Sequence, residues 1–453
     1  MLHIFLVPEH HKQRFRLIVH TVDINNHTSD YEASVTFQHL DTMIEEHLCH
    51  DGHVFTNDAT AYYHQIPLDE EAQSFYNFEF GGRMLTITSI PTGQRQCVDL
   101  AQKISEFLLR KVKSVVPDVQ LLAAYIDNYK GAGSPETAQR AAETLLVVAA
   151  QYRVTMNMEA SAASAFEFRG IEFGIAHGGG LYATVSNKTR LKLAHAATNI
   201  GRITEWSMNE LEQTFGLLAY VSYAMQLPLY EYYTVFKFIR RRFRLLSSRY
   251  ADLNIQRTDP ARVWPCSVIC WQRWLQDIGS IVANGRRRKS QVDAQYILFT
   301  DASCSGYGGI AFATNSHSVT TISGAWETCS VSLLRNNNNL PHINELEAWT
   351  MMHAAEHLIP PNAAVSIIVD NTTAIAATTK TRSSNFNINN YIKRLLRHST
   401  VRNIKYIASA SNPADNLSRG HKTNWQLLVE SLKGHMEMAS ASGAVQPQGQ
   451  TTP

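Results

Sequence analysis

Residues 58–68 read DATAYYHQIPL, and they follow directly on the short apolar run Val54–Asn57. An apolar run of this length predicts a buried strand, which here ends on the carboxylate of Asp58. A second apolar run, Leu121–Ile126, is followed by Asp127 within the word YIDN of residues 125–128. The sequence therefore predicts two buried strands that each end on an aspartate.

Two carboxylates at the ends of buried strands are costly unless they are paired or bind a metal. Together Asp58 and Asp127 can hold two Mg²⁺ ions, an arrangement that aligns an attacking 3′-hydroxyl with a departing pyrophosphate. This spacing is by itself a weak indication, because any two strand-end aspartates satisfy it. The sequence motifs around the two aspartates are more specific. They include IPTGQ at residues 90–94, which lies between the two aspartates.

Turn residues divide the rest of residues 1–185 into strands and helices. Gly81-Gly82 predicts a hairpin over residues 75–90. A helix is expected over Gln94–Val116. Ser134-Pro135 predicts the start of another helix, with proline at the first helical position.

Basic residues are concentrated in the middle of the chain. The whole sequence has 41 Lys and Arg against 39 Asp and Glu, whereas residues 188–289 hold 17 basic and 7 acidic side chains. The pattern is helical from about 190 to 285, and aromatic residues alternate with the basic ones. Such a stripe is typical of a surface that binds phosphate backbones, although a solvated basic helix face has the same pattern. The candidate nucleic-acid-binding residues are Arg240, Arg241, Arg242, Arg244, Arg286, Arg287, Arg288 and Lys289.

After a basic linker at Arg286–Ser290, strands and helices alternate, which predicts an α/β domain. Four acids stand on its predicted elements or close after them: Asp301, Glu345, Asp370 and Asp415. If the fold brings these four acids together, they would repel strongly without cations, and a site for two Mg²⁺ ions is then the physical expectation. Glu347 lies on the same predicted helix as Glu345 and is the alternative to it.

Composition limits the class of protein. The chain of 453 residues is too long for one compact core, and 44% hydrophobic with 18% charged residues is typical of a globular protein. The longest apolar run, residues 145–150, is far shorter than the ~18 residues that span a bilayer, so no membrane protein is expected. Six cysteines without a CxxC pair indicate reduced thiols. The histidines of residues 47–53 are interpreted as incidental rather than as a metal site.

In these motifs the chain resembles a reverse transcriptase followed by ribonuclease H, as encoded by retroelements. DATAYYHQIPL is similar to the first catalytic motif of that family, PTGQ at 91–94 to its Pro-x-Gly motif, and YIDN to its Tyr-x-Asp-Asp turn. FRGI at 168–171 resembles the primer grip. In the second unit, NPADNLSR at 412–419 and the order of the four acids match ribonuclease H. The resemblance extends over residues 5–420.

The resemblance implies roles for single residues of the first unit. Asp58, Asp127 and Asn128 would be catalytic, with the two aspartates as ligands of two Mg²⁺ or Mn²⁺ ions. The implied nucleotide-binding residues are Arg16, Tyr63, Gly93 and Gln94. Asn128 replaces an aspartate of the family pattern, which should raise the Mg²⁺ requirement. Ala160 replaces a lysine that could protonate the departing pyrophosphate.

In the second unit the resemblance makes Asp301, Glu345, Asp370 and Asp415 the catalytic metal ligands, again for two ions. Glu345 is preferred to Glu347 because it begins the word Glu-Leu-x-Ala. The Asp-Asn word at 370–371 and the ending of the last motif look most like tyrosine-recombinase retrotransposons of the DIRS/VIPER type.

The predicted fold is an α+β right-hand polymerase, with fingers, palm and a helical thumb and connection, followed by an α/β RNase H-like domain. The expected domains are fingers and palm at 1–185, a basic thumb and connection at 186–290, the RNase H-like domain at 291–422, and a C-terminal helix with a disordered tail at 423–453. An upstream fingers segment is expected to precede residue 1.

The implied activities are those of an RNA-directed DNA polymerase, a nucleotidyltransferase, and of a ribonuclease H that cuts the RNA of the hybrid. The implied partners are an RNA template, a DNA primer, the RNA/DNA hybrid and dNTPs. Replication would be cytoplasmic, and integration would require entry into the nucleus. Two alternatives stay open: a degenerate polymerase with only RNase H active, and a non-enzymatic nucleic-acid-binding remnant. Asn128 and Ala160 favour them, whereas the four-acid set disfavours a wholly inactive protein.

Overall fold

The computed structural model describes residues 3–9, 14–27, 34–50, 52–176, 179–250, 253–288, 293–326 and 340–443. The chain divides into two compact units. The first unit contains residues 1–196, 219–225 and 278–289, and the second contains 197–218, 226–277 and 290–453. Residues 226–277, which the sequence assigned to a thumb and connection, therefore belong to the same unit as the C-terminal α/β region.

The secondary structure follows the predicted order of elements. The strands are β1 (His3–Glu9), β2 (Arg14–His20), β3 (His53–Ala59), β4 (Asn77–Phe80), β5 (Arg83–Thr86), β6 (Gln120–Tyr125), β7 (Asn128–Gly133), β8 (Met156–Ala163), β9 (Phe166–Phe168), β10 (Ile171–Ile175), β11 (Leu181–Val185), β12 (Arg286–Arg287), β13 (Tyr296–Ala302), β14 (Gly306–Ala313), β15 (Val319–Ala325), β16 (Ala364–Val369) and β17 (Thr400–Tyr406). The helices are α1 (Val22–His27), α2 (Leu40–Leu48), α3 (Glu70–Gln73), α4 (Arg95–Val115), α5 (Pro135–Gln151), α6 (Asn187–Asn199), α7 (Met208–Ala224), α8 (Tyr233–Arg249), α9 (Leu253–Thr258), α10 (Pro265–Asn284), α11 (Ile343–Leu358), α12 (Thr372–Thr379), α13 (Phe386–His398), α14 (Asp415–Ser418) and α15 (Trp425–Gly443).

A four-stranded antiparallel sheet with the strand order β6–β7–β3–β8 forms the centre of the first unit. Helices α4 and α5 pack against it. Ser134 begins α5 as predicted: its side chain accepts a hydrogen bond of 3.1 Å from the Thr137 backbone N–H, and Pro135 follows in the first turn. The core between helices and sheet contains Phe55, Leu108, Val112, Tyr129 and Leu145.

Smaller sheets complete the first unit. Strands β1 and β2 form one hairpin, β4 and β5 form another, and β9 to β12 form a sheet in the order β12–β11–β10–β9. The hairpin predicted over residues 75–90 is shorter than expected, since β5 ends at Thr86. The chain leaves the hairpin there because Ile90 N–H bonds to the Ile66 carbonyl at 2.9 Å.

A five-stranded mixed sheet forms the centre of the second unit, in the order β15–β14–β13–β16–β17. Strands β15, β14 and β13 are antiparallel neighbours, whereas β13, β16 and β17 run parallel. Because side chains alternate along a strand, Leu298 of β13 joins the core beneath α11 and α13, while Ile297 and Phe299 pack towards α14 and α15. Helices therefore cover both faces.

Aromatic side chains join the helices of residues 208–277 to one another. The Tyr232 and Trp274 rings stack with centroids 4.9 Å apart, and Phe215 contacts Phe236 edge-on at 5.1 Å. Glu231 also forms ion pairs with Lys393 and Arg397 of α13, at 2.9 and 2.5 Å. These contacts attach the segment before α8 directly to the α/β sheet region.

The predicted architecture is confirmed at the level of its sheets and helices. The first unit has the predicted antiparallel sheet with helices packed against it, the predicted helical stretch contains α6 to α10, and the second unit has the predicted α/β arrangement. Helix α15 continues to Gly443, and the rest of the predicted tail, 444–453, lies outside the described residues. No helix in the described part of the chain is long and apolar enough to cross a membrane.

Candidate active sites and nucleic-acid interface

Three carboxylates of the second unit converge at one edge of its sheet. Asp301 lies near the end of β13, and Asp370 directly follows β16, the parallel neighbour of β13. Neighbouring parallel strands end at the same edge of a sheet, which explains why these two acids meet. Glu347 of α11 is the third, and one oxygen of each side chain lies within 4.8 Å of the others.

These acids are buried and repel one another. Asp301 is 3% exposed and Glu347 is 5% exposed. Burial raises the pKa of Glu347 to about 9, and the charges of Asp301 and Asp370 add to the rise. Burial likewise raises the pKa of Asp301 to about 6, with Asp370 and Asp415 contributing. Glu347 Oε2 and Asp370 Oδ1 have no hydrogen-bond partner among the described residues. Oxygen atoms in this environment fit a hard divalent cation.

The structure corrects the choice of glutamate on α11. Glu345 and Glu347 are two positions apart, so about 200° of helix rotation separates their side chains. The Glu345 carboxylate accepts hydrogen bonds from Nδ2 of Asn385 at 3.0 Å and Nδ2 of Asn387 at 2.7 Å, at the start of α13. The structure therefore places Glu347, and not the predicted Glu345, with Asp301 and Asp370.

Asp415 lies beside the three acids rather than among them. Its carboxylate is ion-paired with Arg419, whose Nη2 lies 2.8 Å from Oδ1 and whose Nε lies 2.9 Å from Oδ2. Its charge nevertheless raises the pKa of Asp301. Two further residues contact the acids. Ser409, which the sequence did not indicate, donates a hydrogen bond to Asp370 Oδ2, and Nδ2 of Asn412, the first residue of the NPADNLSR motif, lies 3.5 Å from Asp301 Oδ1.

The palm sheet brings Asp58 and Asp127 together as predicted. Asp58 pairs in register with Asn128 across β7. The backbone N–H of Ala59 donates a 2.8 Å hydrogen bond to the carbonyl of Asp127, which ties the end of β3 to the β6–β7 turn. Asp58 at the end of β3 and Asp127 in the β6–β7 turn therefore lie at one end of the sheet.

Helix α4 supports the turn that carries Asp127. Ile126 has a φ of +57°, a left-handed conformation that a β-branched residue rarely adopts. Gln102 Oε1 accepts a 2.8 Å hydrogen bond from the Ile126 N–H, and Ser105 Oγ donates to its carbonyl. These side chains satisfy the strained peptide and fix the position of Asp127.

Glu159 is a further acid near the palm aspartates, and sequence reasoning missed it. The pairing of β8 with β3 shifts between Met158 and Ala160, so Glu159 occupies a β-bulge. Partial burial raises the pKa of Glu159, and Asp58 and then Glu167 and Asp127 contribute. A bulge redirects a side chain by its geometry, which depends on strand pairing and has no local sequence signal.

The predicted nucleotide-binding residues have different environments. Tyr63 is half-buried, and burial followed by the charge of Asp127 raises its pKa to about 12. Gly93 has a φ of +99°, and a Cβ there would lie 3.2 Å from Thr21 Oγ1, so the tight turn requires glycine. Arg16 lies on β2, and its side chain is outside the described part of the structure.

Gln94 is committed to structural contacts. Its side chain is buried, with Oε1 accepting a hydrogen bond from the Tyr76 hydroxyl and Nε2 donating to Gln96 Oε1 at 2.7 Å. It directly precedes α4. The expectation that its side chain contacts a nucleotide is corrected accordingly, because its amide already has partners in the protein.

The basic residues of α8 separate into two groups. Arg240, Arg241 and Arg244 are exposed and remain candidates for phosphate contacts. Arg242 is buried, forms an ion pair with Asp259, and donates from Nη2 to the Pro260 carbonyl at 2.7 Å. The prediction of Arg242 as a nucleic-acid-binding residue is therefore corrected: it fixes the loop before α10.

The basic run at 286–289 separates in the same way. Arg286 is 6% exposed and pairs with Asp41 Oδ1 at 2.8 Å and with Glu45, so it is a structural residue and not a phosphate contact. This segment was expected to be a linker, but Arg286 and Arg287 form β12, which pairs with β11. Arg287 and Arg288 are exposed, and Lys289 lies outside the described residues.

Comparisons with known proteins give a likeness of fold only. None of the protein-family models matches the sequence, and no curated protein matches it either. Three solved structures of a foamy viral protease-reverse transcriptase are similar to the chain. One, designated dRH and in complex with double-stranded DNA, has 14% identity and a TM-score of 0.48, over 90% of this chain and 65% of that chain.

Another complex with double-stranded DNA has 14% identity and a TM-score of 0.44, over 89% of this chain and 77% of that one. A complex with an RNA/DNA hybrid has 13% identity and a TM-score of 0.45, over 90% and 50% of the two chains. The chain thus spans 65% of the length of the first of these proteins.

Proposed function

We propose that this chain is a reverse transcriptase with ribonuclease H activity, which copies RNA into DNA and cuts the RNA strand of the resulting hybrid. The observation that carries the proposal is the cluster of Asp301, Glu347 and Asp370, with carboxylate oxygens within 4.8 Å of one another. A buried group of three acids is costly to maintain without a cation, which favours a metal-dependent site over a structural one.

The residues fit a divalent metal. Glu347 and Asp370 each have a buried carboxylate oxygen with no hydrogen-bond partner in the described part of the chain. When bound, Mg²⁺ or Mn²⁺ ions activate the attacking group and stabilise the departing oxygen in phosphoryl transfer. Ser409 holds one oxygen of Asp370 by a hydrogen bond, which leaves the other oxygen for a ligand.

The palm site supports the polymerase half of the proposal. Asp58 at the end of β3 and Asp127 in the β6–β7 turn lie at one end of the sheet, and they would hold the ions of nucleotidyl transfer. Tyr63 lies close enough to Asp127 for that charge to raise its pKa. Its ring would therefore stand beside the sugar of an incoming dNTP and exclude a 2′-hydroxyl.

A second candidate function is a ribonuclease H on an inactive polymerase. The observation that favours it is the hydrogen bond of 2.9 Å from Asn128 Nδ2 to Asp127 Oδ1. It occupies an oxygen that a metal would need, and Asn128 contributes no negative charge. The intact acid cluster of the second unit favours a catalytic protein over a remnant that only binds nucleic acid.

The proposal extends to the partners of the chain, its origin and the place where DNA is synthesised. The partners would be an RNA template, a DNA primer, the RNA/DNA hybrid and dNTPs. The ending NPADNLSR and the Asp370-Asn371 word support an origin in a tyrosine-recombinase retrotransposon of the DIRS/VIPER type. Synthesis would take place in the cytoplasm, and integration of the product would require entry into the nucleus.

Two assays on the full chain test the proposal. The first is Mg²⁺-dependent cleavage of an RNA/DNA hybrid with Asp301→Asn as the control, and the second is primer extension on RNA with Asp127→Ala as the control. We expect both activities, each lost in its own control variant. Cleavage without extension in Mg²⁺ or Mn²⁺ would leave the ribonuclease alone. Hybrid binding without either activity would leave the binding remnant.

A further inference from the structure

An arginine of the second unit lies over an aromatic ring of α8. Arg382 follows α12, and its guanidinium carbon is 4.6 Å from the centroid of the Phe236 ring. Both residues belong to the second unit. The stacking holds a cation of the α12–α13 turn against a helix that precedes it by more than one hundred residues.

A second arginine is directed to the same place by helix geometry. Arg240 is four residues after Phe236 on α8, so the two side chains lie on one face, one turn apart. The positive charge of Arg240 acts on Arg382: partial burial first, and Arg240 second, lower the pKa of the Arg382 guanidinium. Two like charges therefore share one surface.

No protein anion neutralises this pair within the residues that the structure describes. Neighbouring arginines show how ion pairs are formed elsewhere: Arg394 pairs with Glu356 at 2.6 Å, and Arg397 pairs with Glu231 at 2.5 Å. Arg240 and Arg382 have no such carboxylate among the described ion pairs, and both are exposed to solvent. Two adjacent unneutralised cations are unfavourable unless an anion joins them.

The turn that carries Arg382 is held in place before any ligand binds. Thr381 has a φ of +49°, and the N–H groups of Thr381 and Arg382 donate to carbonyls of α12 at 3.1 and 3.0 Å. Thr381 Oγ1 also accepts a 2.9 Å hydrogen bond from the Leu229 N–H. These contacts fix the backbone of Arg382 relative to the segment that leads into α8.

We propose that Arg240 and Arg382 together form a binding site for a phosphate of the sugar-phosphate backbone of duplex nucleic acid. The site is built jointly by α8 and the α12–α13 turn. Guanidinium groups suit it because each can donate two parallel hydrogen bonds to phosphate oxygens. It deepens the proposed function, on which it rests, by naming where the second unit holds the backbone of the hybrid.

The test is binding of a labelled RNA/DNA hybrid by fluorescence anisotropy over a series of salt concentrations without divalent ions. The full chain is compared with Arg382→Gln, Arg240→Gln and the double variant. Each single substitution should reduce the slope of log affinity against log salt by less than one, because the remaining arginine still contacts the shared phosphate. The double variant should reduce the slope by about one in total, since the contact with that one phosphate is then lost.

Arg394→Gln is the matched control, since it removes the same charge from an ion-paired surface arginine of the same unit. It should leave the slope unchanged, and Arg382→Lys should restore most of the slope lost in Arg382→Gln. A thermal unfolding curve identifies a variant that has failed to fold. If Arg382→Gln fails to fold, the slope measured for Arg382→Lys decides whether Arg382 contacts phosphate. The proposal would be overturned if Arg382→Gln and Arg240→Gln both gave the same slope of log affinity against log salt as the control Arg394→Gln.

Inorganic phosphate distinguishes a free anion from a duplex backbone. We expect calorimetric titration with phosphate to show no binding that depends on Arg382, and millimolar phosphate at constant ionic strength not to displace the hybrid. Phosphate binding that is lost in Arg382→Gln, without any change in hybrid binding, would overturn a duplex site. If the full chain does not bind the hybrid at all, the proposed function fails as well, whereas normal binding with unchanged slopes removes this site alone.

Discussion

Nδ2 of Asn128 donates a 2.9 Å hydrogen bond to Oδ1 of Asp127, the carboxylate next to it in the β6–β7 turn. The amide thus reduces the repulsion that two adjacent carboxylates would experience. It also directs a positive dipole at the oxygen that a metal ion would approach. This arrangement would weaken the binding of a metal ion at Asp127.

Asn128→Asp should therefore lower the Mg²⁺ concentration that gives half-maximal primer extension. One additional unit charge about 4 Å away contributes about 1 kcal/mol even at the dielectric constant of bulk water, which is roughly fivefold in affinity. The measurement is a Mg²⁺ titration of extension on an RNA template. Hybrid cleavage by the same variant should be unchanged, and an unaltered or higher Mg²⁺ requirement would contradict the prediction.

Glu347→Gln should reduce Mg²⁺-dependent cleavage of the hybrid by at least about 100-fold, because one of three clustered carboxylates is lost. Glu345→Gln makes the same chemical change two residues away and should keep activity within roughly fivefold. Glu345→Gln should instead lower the free energy of unfolding by about 1 kcal/mol, because one of the hydrogen bonds from Asn385 and Asn387 is weakened. Equal loss of cleavage in both variants would restore Glu345 as a ligand.

The stability of the first unit should depend on pH through His47. Burial, and then the charge of Lys130, lower the pKa of His47 from 6.5 to about 2, and Lys130 Nζ donates to its Nε2 at 2.6 Å. The folded state keeps the imidazole neutral, whereas the unfolded chain takes up a proton below pH 6.5. This contribution to stability is therefore present above pH 6.5 and is lost as the pH falls.

Between pH 6.5 and pH 5 the loss from this group should be about 2 kcal/mol. Urea unfolding at both pH values, in the full chain and in His47→Gln, measures it. The variant retains an acceptor for Lys130 but does not titrate, so the difference between its two stabilities should be smaller. A variant with the same pH dependence as the original protein would show that other groups are responsible.

Substitutions of the neighbouring residues Arg286 and Arg287 should have opposite effects on the free energy of unfolding and on the salt dependence of hybrid binding. Arg286→Met should lower the free energy of unfolding by roughly 1–3 kcal/mol, because Asp41 and Glu45 lose a buried partner, and leave the salt dependence of hybrid binding unchanged. Arg287→Gln should leave stability within about 0.5 kcal/mol, as expected of an exposed side chain. If Arg287 contacts a phosphate, the slope of log hybrid affinity against log salt should fall by about one in Arg287→Gln.

The two measurements, thermal unfolding and anisotropy against salt, separate structural from binding arginines. A reduced slope in Arg286→Met with unchanged unfolding would show that the buried ion pair opens when nucleic acid binds. The same pair of measurements applied to Arg242→Met should give the Arg286 result, since Arg242 pairs with Asp259 in a similarly buried position.

Local sequence patterns predicted the strands, the helices and the aspartates at the ends of the strands. Asp58, Asp127, Asp301 and Asp370 lie near or just after predicted strands, because a buried strand has a local signal in its apolar run and its polar ending. The start of α5 at Ser134-Pro135 could be predicted because its signal is also local: a helix cap involves only the neighbouring turn.

Contacts between distant segments select the residues that lie around those aspartates. Every position from Glu345 to Met352 of α11 is buried, so no polar face marks Glu347 as the residue directed at Asp301. Arg286 and its partner Glu45 are 241 residues apart, and the exposed Arg287 beside it has the same charge in the sequence. The reason is physical: burial, ion pairing and the Arg240–Arg382 surface depend on contacts between distant segments, and charge patterns along the chain do not record those contacts.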